Sequence, residues 1–330
     1  HYVVASSAEL SRSAREPIAL FVAHHGQAPT FQNWSIAPNP RREAEAETDR
    51  NAYRPGQMKN RPNVVLVVVD ALRADHLGLS GYRRSLTPNI DRWASESGAS
   101  VATMFRSVCA ESSCGLMALA RSKYPWEVTA VDFALYEVLK KNGYRNYFFL
   151  TGDHTNFYGL RDAYRPYDIY VDSTTFPDAY INDDDAIIEA FRQAPAFDGT
   201  PTFIQFHLMS SHGLGLRHDA NIRYRPQQSP YGIHLHRRLP EGTDLEGITN
   251  YYDNGVIQTD VNFARIEELL REKGYLDDAL LILTGDHGEL LGEGGYVTHA
   301  RSTEEPVLAP PLLVRRYAPA GAASSAIRLR

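Results

Sequence analysis

The chain has 330 residues, of which 43% are hydrophobic, and its formal net charge is −6 at neutral pH. This length is enough for one large α/β domain, and the apolar content excludes a disordered chain. The acidic balance argues against a nucleic-acid-binding protein, which usually carries a basic face. The longest apolar run, Val64–Val69, has the length of a strand and is far too short to span a membrane.

Residues 1–60 are predicted to form a distinct N-terminal region. Ala8–His24 has the pattern of one amphipathic helix, with Pro17 at a kink or at a start. Residues 36–60 are rich in Pro, Arg, Glu and Asn without an apolar period, so we expect a linker that lies on the surface. Because the first residue is His1, we expect a fragment or a processed form, which a membrane anchor or signal could precede.

From Pro62 onward, segments with a strand pattern alternate with helical segments. The predicted strands are Val64–Val69, Tyr144–Leu150, Thr202–Leu208, Leu280–Thr284 and Pro311–Val314. The predicted helices are Pro88–Ser97, Gly115–Ala120, Phe133–Asn142, Asp184–Gln193 and Asn250–Lys273. This alternation predicts an α/β fold with a mostly parallel central sheet and helices on both faces. The long loops 155–182 and 209–250 are candidates for the walls of a substrate site.

Two of the predicted strands end on carboxylates. Val64–Val69 stops on Asp70, and Leu280–Thr284 runs through a glycine into Asp286 and His287. The carboxyl edge of an open α/β sheet is where ligands bind, and Asp with His suits zinc and related divalent ions. Alternatively, Asp70 is a helix cap and the other pair makes loop hydrogen bonds, but the position at strand ends favours a metal site.

A hydroxyl nucleophile is predicted in the segment Glu111-Ser112-Ser113-Cys114-Gly115, just before a short helix. A serine there lies near the partly positive helix N-terminus, where free N–H groups can hold an oxyanion. A divalent metal can activate such a hydroxyl. Taken alone, the segment is better explained by serines that cap the helix. Only the predicted carboxylate cluster favours a nucleophile instead.

Several histidines follow strands in the same manner. His212 and His299 are candidates for a second metal or for the leaving group of a substrate. We expect His207 to point into the core or at a helix. Asp153 and His154, after the strand Tyr144–Leu150, could line the pocket.

The two cysteines, Cys109 and Cys114, lack the CxxC spacing of zinc sites. They could form a local disulfide in an oxidising compartment or remain two buried thiols. Because the chain has only two cysteines and their spacing does not require a bond between them, we expect two buried thiols.

These motifs together resemble the sulfatase-like branch of the alkaline phosphatase superfamily, over Arg61 to Arg316. The resemblance rests on PNVVLVVVDALRADHLGLSGY, LTPNIDRWASESG, a nucleophile loop ending in ALARSKYP, LYEVLKKNGYRNYFFL, IQTDVNFARIEELLREKGYLDDALLILTGDHGE and APPLLV, in that order. It implies an alkaline phosphatase-like catalytic domain over residues 61–330.

The resemblance also implies roles for individual residues. Asp70, Asp286 and His287 match metal ligands of the family. Counting back from Tyr124-Pro125, the nucleophile, which is also a metal ligand, falls on Ser112, with Ser113 as the alternative. The remaining two catalytic candidates, His212 and His299, resemble histidines that bind substrate or a second zinc in lipid A phosphoethanolamine transferases. The implied cofactor is Zn²⁺, with Mn²⁺, Ca²⁺ or Mg²⁺ as alternatives.

Three features depart from the sulfatase pattern. The loop Ser112–Leu116 lacks the Pro and Arg of the formylglycine motif, and Asp70 is followed by Ala71 where sulfatases carry a second aspartate. The chain also stops soon after Val314, so we expect part of the C-terminal fold to be missing. The first two departures bring the chain closer to phosphoethanolamine and phosphoglycerol transferases than to formylglycine sulfatases.

The main hypothesis is a metal-dependent hydrolase or transferase of phosphate or sulfate esters, acting through a serine and a covalent phosphoseryl intermediate. The alternatives are a membrane-tethered phosphoethanolamine- or phosphoglycerol-type transferase that modifies a lipid or glycan, and an arylsulfatase-type hydrolase. A binding domain without chemistry is a third possibility, and mutase and nucleotide pyrophosphatase activities rank lower. We expect a small or lipid-linked ester substrate, no nucleic acid partner, and an extracytoplasmic or periplasmic location, with membrane association through a segment before His1.

Overall fold

The computed structural model describes residues 39–56, 60–102, 104–129, 131–232, 238–299, 302–319, 321–323 and 326–329. The amphipathic helix predicted over Ala8–His24 lies outside these residues. The division into an N-terminal region and a catalytic domain from residue 61 therefore stays a prediction.

A seven-stranded sheet forms the centre of the described structure. Its strands in chain order are β1 (Asn63–Val69), β2 (Ala99–Val101), β3 (Arg145–Leu150), β4 (Ile169–Asp172), β5 (Thr202–Leu208), β6 (Ala279–Gly285) and β9 (Leu312–Tyr317), while β7 (Leu290–Leu291) and β8 (Val297–Thr298) pair separately. The spatial order is β2-β9-β6-β1-β5-β3-β4. The five strands from β6 to β4 pair in parallel, and β9 runs antiparallel to both of its neighbours. The predicted mostly parallel sheet is confirmed.

The described α-helices cover both faces of this sheet. They are α1 (Pro40–Ala52), α2 (Pro88–Ser95), α3 (Ser112–Arg121), α4 (Leu135–Lys141), α5 (Asp184–Gln193), α6 (Leu245–Glu272) and α7 (Glu305–Leu308). Side chains alternate along β1, so Val65, Val67 and Val69 share one core cluster with residues of α2, α5 and α6. Leu66 and Val68 point the other way and pack with residues of α3 and α4.

The long helix α6 anchors the segment that follows β1. Its buried Asp253 accepts a hydrogen bond from Arg84 (2.7 Å) and contacts His76 Nδ1 at 2.9 Å. Asp260, also on α6, accepts hydrogen bonds from the first-turn N–H groups of α2 at Asn89 (3.0 Å) and Ile90 (2.8 Å). A buried carboxylate is stable only with such partners, so these contacts hold the polypeptide that leaves Asp70.

Two regions differ from the sequence-based prediction. The expected surface linker contains α1, whose N-terminus is capped by Asn39 and whose Arg50 bonds Glu137 at 2.9 Å. An exposed helix held by ion pairs needs no apolar stripe, which is why the pattern did not reveal it. The loop 155–182 contains β4, a short edge strand of the sheet. Its four residues are too few to carry a clear alternation.

Candidate active site and metal centre

Three neighbouring strands in the middle of the sheet deliver the polar cluster. Val69 pairs with Gly285 on β6 and with Leu208 on β5, so the residues that follow or end these strands meet at one edge. Asp70 follows β1, Asp286 follows β6, and both side chains are buried. The parallel arrangement itself therefore brings together carboxylates that are 216 positions apart in the chain.

Ser112 lies at the first position of α3, directly over these carboxylates. Its Oγ is 2.9 Å from Asp70 Oδ2 and 3.1 Å from His287 Nε2. Ser113 turns away and donates a hydrogen bond to Glu111 Oε1 at 2.9 Å. The structure therefore places Ser112, and not Ser113, in the cluster, with its oxygen beside the positive end of α3.

Close backbone packing holds the cluster together. Ala71 adopts a left-handed conformation (φ 61°), and its N–H donates to Asp286 Oδ1 at 3.2 Å. A Cβ on Gly115 of α3 would lie 3.0 Å from the Asp286 carbonyl oxygen, and one on Gly288 would lie 2.0 Å from that of Pro306. Gly288 is therefore required by the close approach of the Pro306 backbone.

The cluster fits a divalent metal ion. Ligand atoms of Asp70, Asp286 and His287 all lie within 4.8 Å of one another. Asp70 Oδ1 and Asp286 Oδ2 are buried without a hydrogen-bond partner, which is costly unless a cation satisfies them. His287 Nδ1 lies 2.8 Å from the Gly288 carbonyl, which can only accept. The ring proton therefore sits on Nδ1, and Nε2 keeps the lone pair that a metal needs.

The two carboxyl groups do not share the same electrostatic environment. Burial and the negative charge of Asp286 raise the pKa of Asp70 to about 6. Burial alone would also raise the pKa of Asp286, but the neighbouring His287 and His207 imidazoles hold it below its usual value. Two adjacent acids whose pKa values are driven apart are typical of a functional site.

His299 stands beside the cluster and is held by a residue that the sequence analysis missed. Its Nδ1 lies 3.1 Å from Oε1 of the buried Glu289, and its ring centroid is 4.2 Å from that of His287. Burial lowers the pKa of His299, but the Glu289 carboxylate outweighs this and raises it to about 9. His299 is therefore an imidazolium at neutral pH. The pattern DHGE contained the signal, because Glu289 follows His287 by two residues in the same turn.

His212 differs from His299 in charge and in contacts. Its Nδ1 accepts a hydrogen bond from the Leu214 N–H at 3.1 Å, so in the neutral ring Nε2 carries the proton. Nε2 lies 2.7 Å from the Tyr231 hydroxyl. Burial holds the pKa of His212 well below its usual value, so the ring is neutral.

His207 is buried on the face of β5 that α3 covers, as expected, and it also lies beside the carboxylate cluster. The ring is fully buried on β5, but Nε2 lies 3.8 Å from Asp70 Oδ2 and 3.9 Å from Asp286 Oδ2. Its Nδ1 is 3.0 Å from Nε2 of His154, which is also fully buried. Asp153 instead accepts a hydrogen bond from the Asn156 N–H at 2.6 Å and stabilises a turn. Odd-numbered residues of β5, such as Phe203 and His207, lie on the face of the sheet that α3 covers. Because α3 also carries Ser112, this face includes the cluster, which the periodicity of the strand alone could not show.

Cys109 and Cys114 form a disulfide, so the default of two buried thiols was wrong. The bond links the first turn of α3 to the segment before it and encloses Ser112. Proximity in the folded chain, rather than spacing, decided the pairing. A disulfide of this kind is typical of proteins from an oxidising compartment.

The fold and this edge of the sheet define a sulfatase-like α/β domain of the alkaline phosphatase superfamily. The sulfatase family profile matches residues 62–316, and the chain belongs to this family. Two curated relatives are transferases from Escherichia coli. The phosphatidylethanolamine transferase Mcr-2 is 24% identical over 253 residues, and the phosphoethanolamine transferase EptA of strain K12 is 24% identical over 259 residues. These matches cover 72% and 76% of the chain but 44% and 45% of the relatives, so the chain spans less than half of their length.

Solved structures agree with this fold. The C-terminal periplasmic domain of the phosphoethanolamine transferase EptC from Campylobacter jejuni superposes with a TM-score of 0.60 at 19% identity, covering 78% of this chain and 80% of that one. The soluble domain of lipooligosaccharide phosphoethanolamine transferase A from Neisseria meningitidis has a TM-score of 0.60 at 19% identity, covering 80% and 78%. Phosphonate monoester hydrolase of Agrobacterium radiobacter reaches 0.58 at 18% identity, covering 81% and 70%. Within the described part of the chain, no helix is both long and apolar enough to cross a membrane.

Proposed function

We propose that this chain is the catalytic domain of a zinc-dependent phosphotransferase that works through a phosphoseryl intermediate on Ser112. The observation that carries the proposal is the position of Ser112 Oγ, 2.9 Å from Asp70 Oδ2 and 3.1 Å from His287 Nε2. Two carboxylates, one imidazole and one hydroxyl form a mixed oxygen and nitrogen ligand set, which suits four-coordinate Zn²⁺. The relatives named for phosphoethanolamine transfer support a phosphoryl group rather than a sulfuryl group as the cargo.

In this proposal each residue of the cluster has a separate role in the reaction. A divalent cation held by Asp70, Asp286, His287 and Ser112 supplies positive charge that favours the ionised serine and polarises the phosphoryl group. Ser112 Oγ would release its proton to solvent when the cation binds, and the ionised oxygen attacks phosphorus in line with the leaving oxygen. The Oγ–P bond forms while the bond from phosphorus to the leaving oxygen breaks, and that oxygen takes the electron pair and a proton from His299. An acceptor hydroxyl then attacks phosphorus, returns a proton to His299 and releases Ser112.

The leaving group and the acceptor are expected to be lipid- or glycan-linked and to lie outside the cytoplasm. The disulfide beside Ser112 supports an oxidising compartment, and two of the structural neighbours are described as periplasmic domains. The names of the two transferases from Escherichia coli point to ethanolamine-bearing phospholipids as donors. Simple hydrolysis, in which water replaces the acceptor hydroxyl, uses the same groups and is the second candidate function.

An arylsulfatase activity is disfavoured by the nucleophile loop. Ser112 to Leu116 lacks the Pro and Arg that direct formylglycine formation in the resembling sulfatases. Cys114, the cysteine of this loop, is already in a disulfide. A serine that stays a serine is suited to phosphoryl transfer.

The covalent intermediate provides the direct test. The zinc-loaded chain is incubated with short-chain phosphatidylethanolamine and quenched in acid, and its intact mass and Ser112 peptide are measured. We expect a mass increase equal to a phosphoethanolamine group on that peptide, because the ester bond to serine survives acid. Adding a soluble polyol acceptor should discharge the adduct faster than water does if transfer is the function. Absence of any adduct on the zinc-loaded chain would refute the proposal.

Metal binding is expected to depend on pH through Asp70. Its pKa of about 6 in the metal-free protein means that a proton occupies this ligand at lower pH and must leave before the metal binds. Below about pH 6 the apparent zinc affinity should therefore fall by at least about tenfold per pH unit, and above it this contribution levels off. Equilibrium dialysis of the protein against zinc at pH 5, 6, 7 and 8 measures the trend. An affinity that stays constant from pH 5 to 8 would contradict Asp70 as a ligand.

A further inference from the structure

Two tyrosines reach the active site from the two loops that flank it, and the phosphoryl transfer described above leaves both unused. Tyr158 belongs to the segment after β3, and Tyr231 belongs to the segment after β5. Each side chain is half-buried although it sits in a loop, and each is electrostatically coupled to Asp70. Loop residues that turn inward to a polar cluster, rather than outward to water, indicate binding groups.

Tyr231 is positioned by His212 and Gly213. The hydroxyl lies 2.7 Å from His212 Nε2, which carries the ring proton and therefore donates to the tyrosine oxygen. The tyrosine ring lies so close to the backbone that a Cβ on Gly213 would meet it at 2.1 Å. Because the oxygen already accepts from His212, the hydroxyl proton of Tyr231 remains available to donate to another group.

Tyr158 approaches the cluster from the segment after β3. Its ring centroid is 5.0 Å from that of His154, and its hydroxyl interacts electrostatically with Asp70 and with the Ser112 side chain. The ring also lies against Gly152, where a Cβ would be 3.8 Å from it, an ordinary contact distance. Burial raises the pKa of both Tyr158 and Tyr231 well above the usual value, so both are neutral hydroxyl donors over the whole working pH range.

The buried guanidinium of Arg217, which acts electrostatically on Tyr231, is committed elsewhere. Arg217 is buried and donates to the carbonyl oxygens of His212 (2.8 Å) and Gly215 (2.6 Å), and it lies over the Tyr251 ring at 3.9 Å. A cation so fully engaged with the backbone cannot also reach a substrate without leaving carbonyl groups unpaired. The oxygen atoms of a bound phosphoryl group therefore need other donors.

We propose that Tyr231 and Tyr158 are catalytic residues that donate hydrogen bonds to two different non-bridging oxygens of the phosphoryl group, one from each flanking loop. This inference rests on the proposed phosphoryl transfer at Ser112. Both hydroxyls interact electrostatically with Asp70 beside the nucleophile. In this proposal their bonds to the phosphoryl oxygens strengthen as negative charge spreads over the equatorial oxygens in the transition state. Fixed neutral donors of this kind stabilise that charge without having to reorganise.

The test compares Tyr231→Phe and Tyr158→Phe with Tyr167→Phe, whose hydroxyl accepts from Arg161 at 3.2 Å and lies outside the cluster. Turnover of short-chain phosphatidylethanolamine, inhibition by orthovanadate, zinc content and Tm are measured for each zinc-loaded variant. We expect kcat/KM to fall by about 10- to 100-fold in each site variant, with an equal rise in the vanadate inhibition constant. Vanadate mimics the five-coordinate transition state, so a purely structural role would not produce this parallel change. Zinc content and Tm should match the wild type, and Tyr167→Phe should behave like the wild type.

The double variant tests whether the two hydroxyls bind different phosphoryl oxygens. If the hydroxyls bind different oxygens, the two losses in kcat/KM should multiply in Tyr158→Phe/Tyr231→Phe. Single variants that retain wild-type kcat/KM and vanadate inhibition, in a protein whose Ser112→Ala variant is inactive, would overturn this inference and leave the proposed function intact. A wild-type chain that forms no serine adduct would instead overturn the proposed function itself.

Discussion

Replacing Ser112 with alanine is expected to reduce turnover of a phosphate diester by about 10⁴-fold or more, because no other described hydroxyl occupies its position. The oxygen that contacts both Asp70 and His287 is lost, while the helix that carries it keeps its backbone contacts. The covalent adduct should disappear with the activity. Steady-state kinetics and intact mass after acid quenching measure the two effects on the same preparation.

Ser113→Ala is the matched control for this substitution. Its hydroxyl is one residue away on the same helix but bonds Glu111 instead of the cluster. We expect this variant to keep its activity to within a few fold, and we expect its adduct to map to Ser112. If Ser112→Ala kept more than a tenth of the wild-type activity, or if the adduct mapped to Ser113, the assignment of Ser112 as the nucleophile would be wrong. Ser113 would then be the nucleophile to test.

The second large effect is expected for Asp286→Asn, which should abolish zinc binding. Asparagine retains an oxygen that can accept from the N–H groups of Ala71 and His287, so the local fold has little reason to change. The buried unpartnered oxygen that faces Asp70 becomes an amide that cannot serve as an anionic ligand. Zinc at a hundred times the dissociation constant should raise the wild-type Tm by roughly 5–10 °C, and this rise should vanish in the variant.

Asp183→Asn is the control, because Asp183, Asp185 and His218 form the other described group of potential ligands. There His218 Nε2 lies 3.1 Å from Asp183, and Arg265 contacts Asp185, so partners within the protein already compensate these charges. Zinc content by elemental analysis and the zinc-dependent Tm should match the wild type. An Asp286→Asn protein that still binds one zinc with wild-type affinity would place the metal elsewhere.

The ends of the central strands could be predicted from the sequence, because a buried parallel strand is a short, almost continuous apolar run. Val64–Val69 and Leu280–Thr284 are almost wholly apolar, and each is followed by an acid within two residues. Parallel strands have their carboxyl ends at one edge of the sheet, so the sequence alone predicted that Asp70 and Asp286 lie close together. The resemblance to sulfatases then added Ser112, whose local pattern alone could not be distinguished from a helix cap.

The histidines were harder to place, because a lone histidine has the same appearance in a core and in a site. His207 lies on a strand whose residues are all buried, so burial was predictable but the direction of Nε2 was not. The neighbouring strand decides that direction. Because β5 lies beside β1, the His207 ring lies 3.8 Å from the Asp70 carboxylate at the end of β1. Glu289 was missed for the same reason, as its partner His299 is ten positions away.

By itself, the sequence determined the fold class, the edge of the sheet that carries the site, and the acids that end its central strands, because these depend on local patterns of apolar and polar residues. The tertiary structure alone decided that Ser112 and not Ser113 faces those acids, that His299 is charged while His212 is neutral, and that Cys109 and Cys114 are bonded. It also brought Tyr231 into contact with His212, and Tyr158 into contact with His154. These outcomes depend on which side chains, remote in the chain, meet in a buried space, and no local pattern records that.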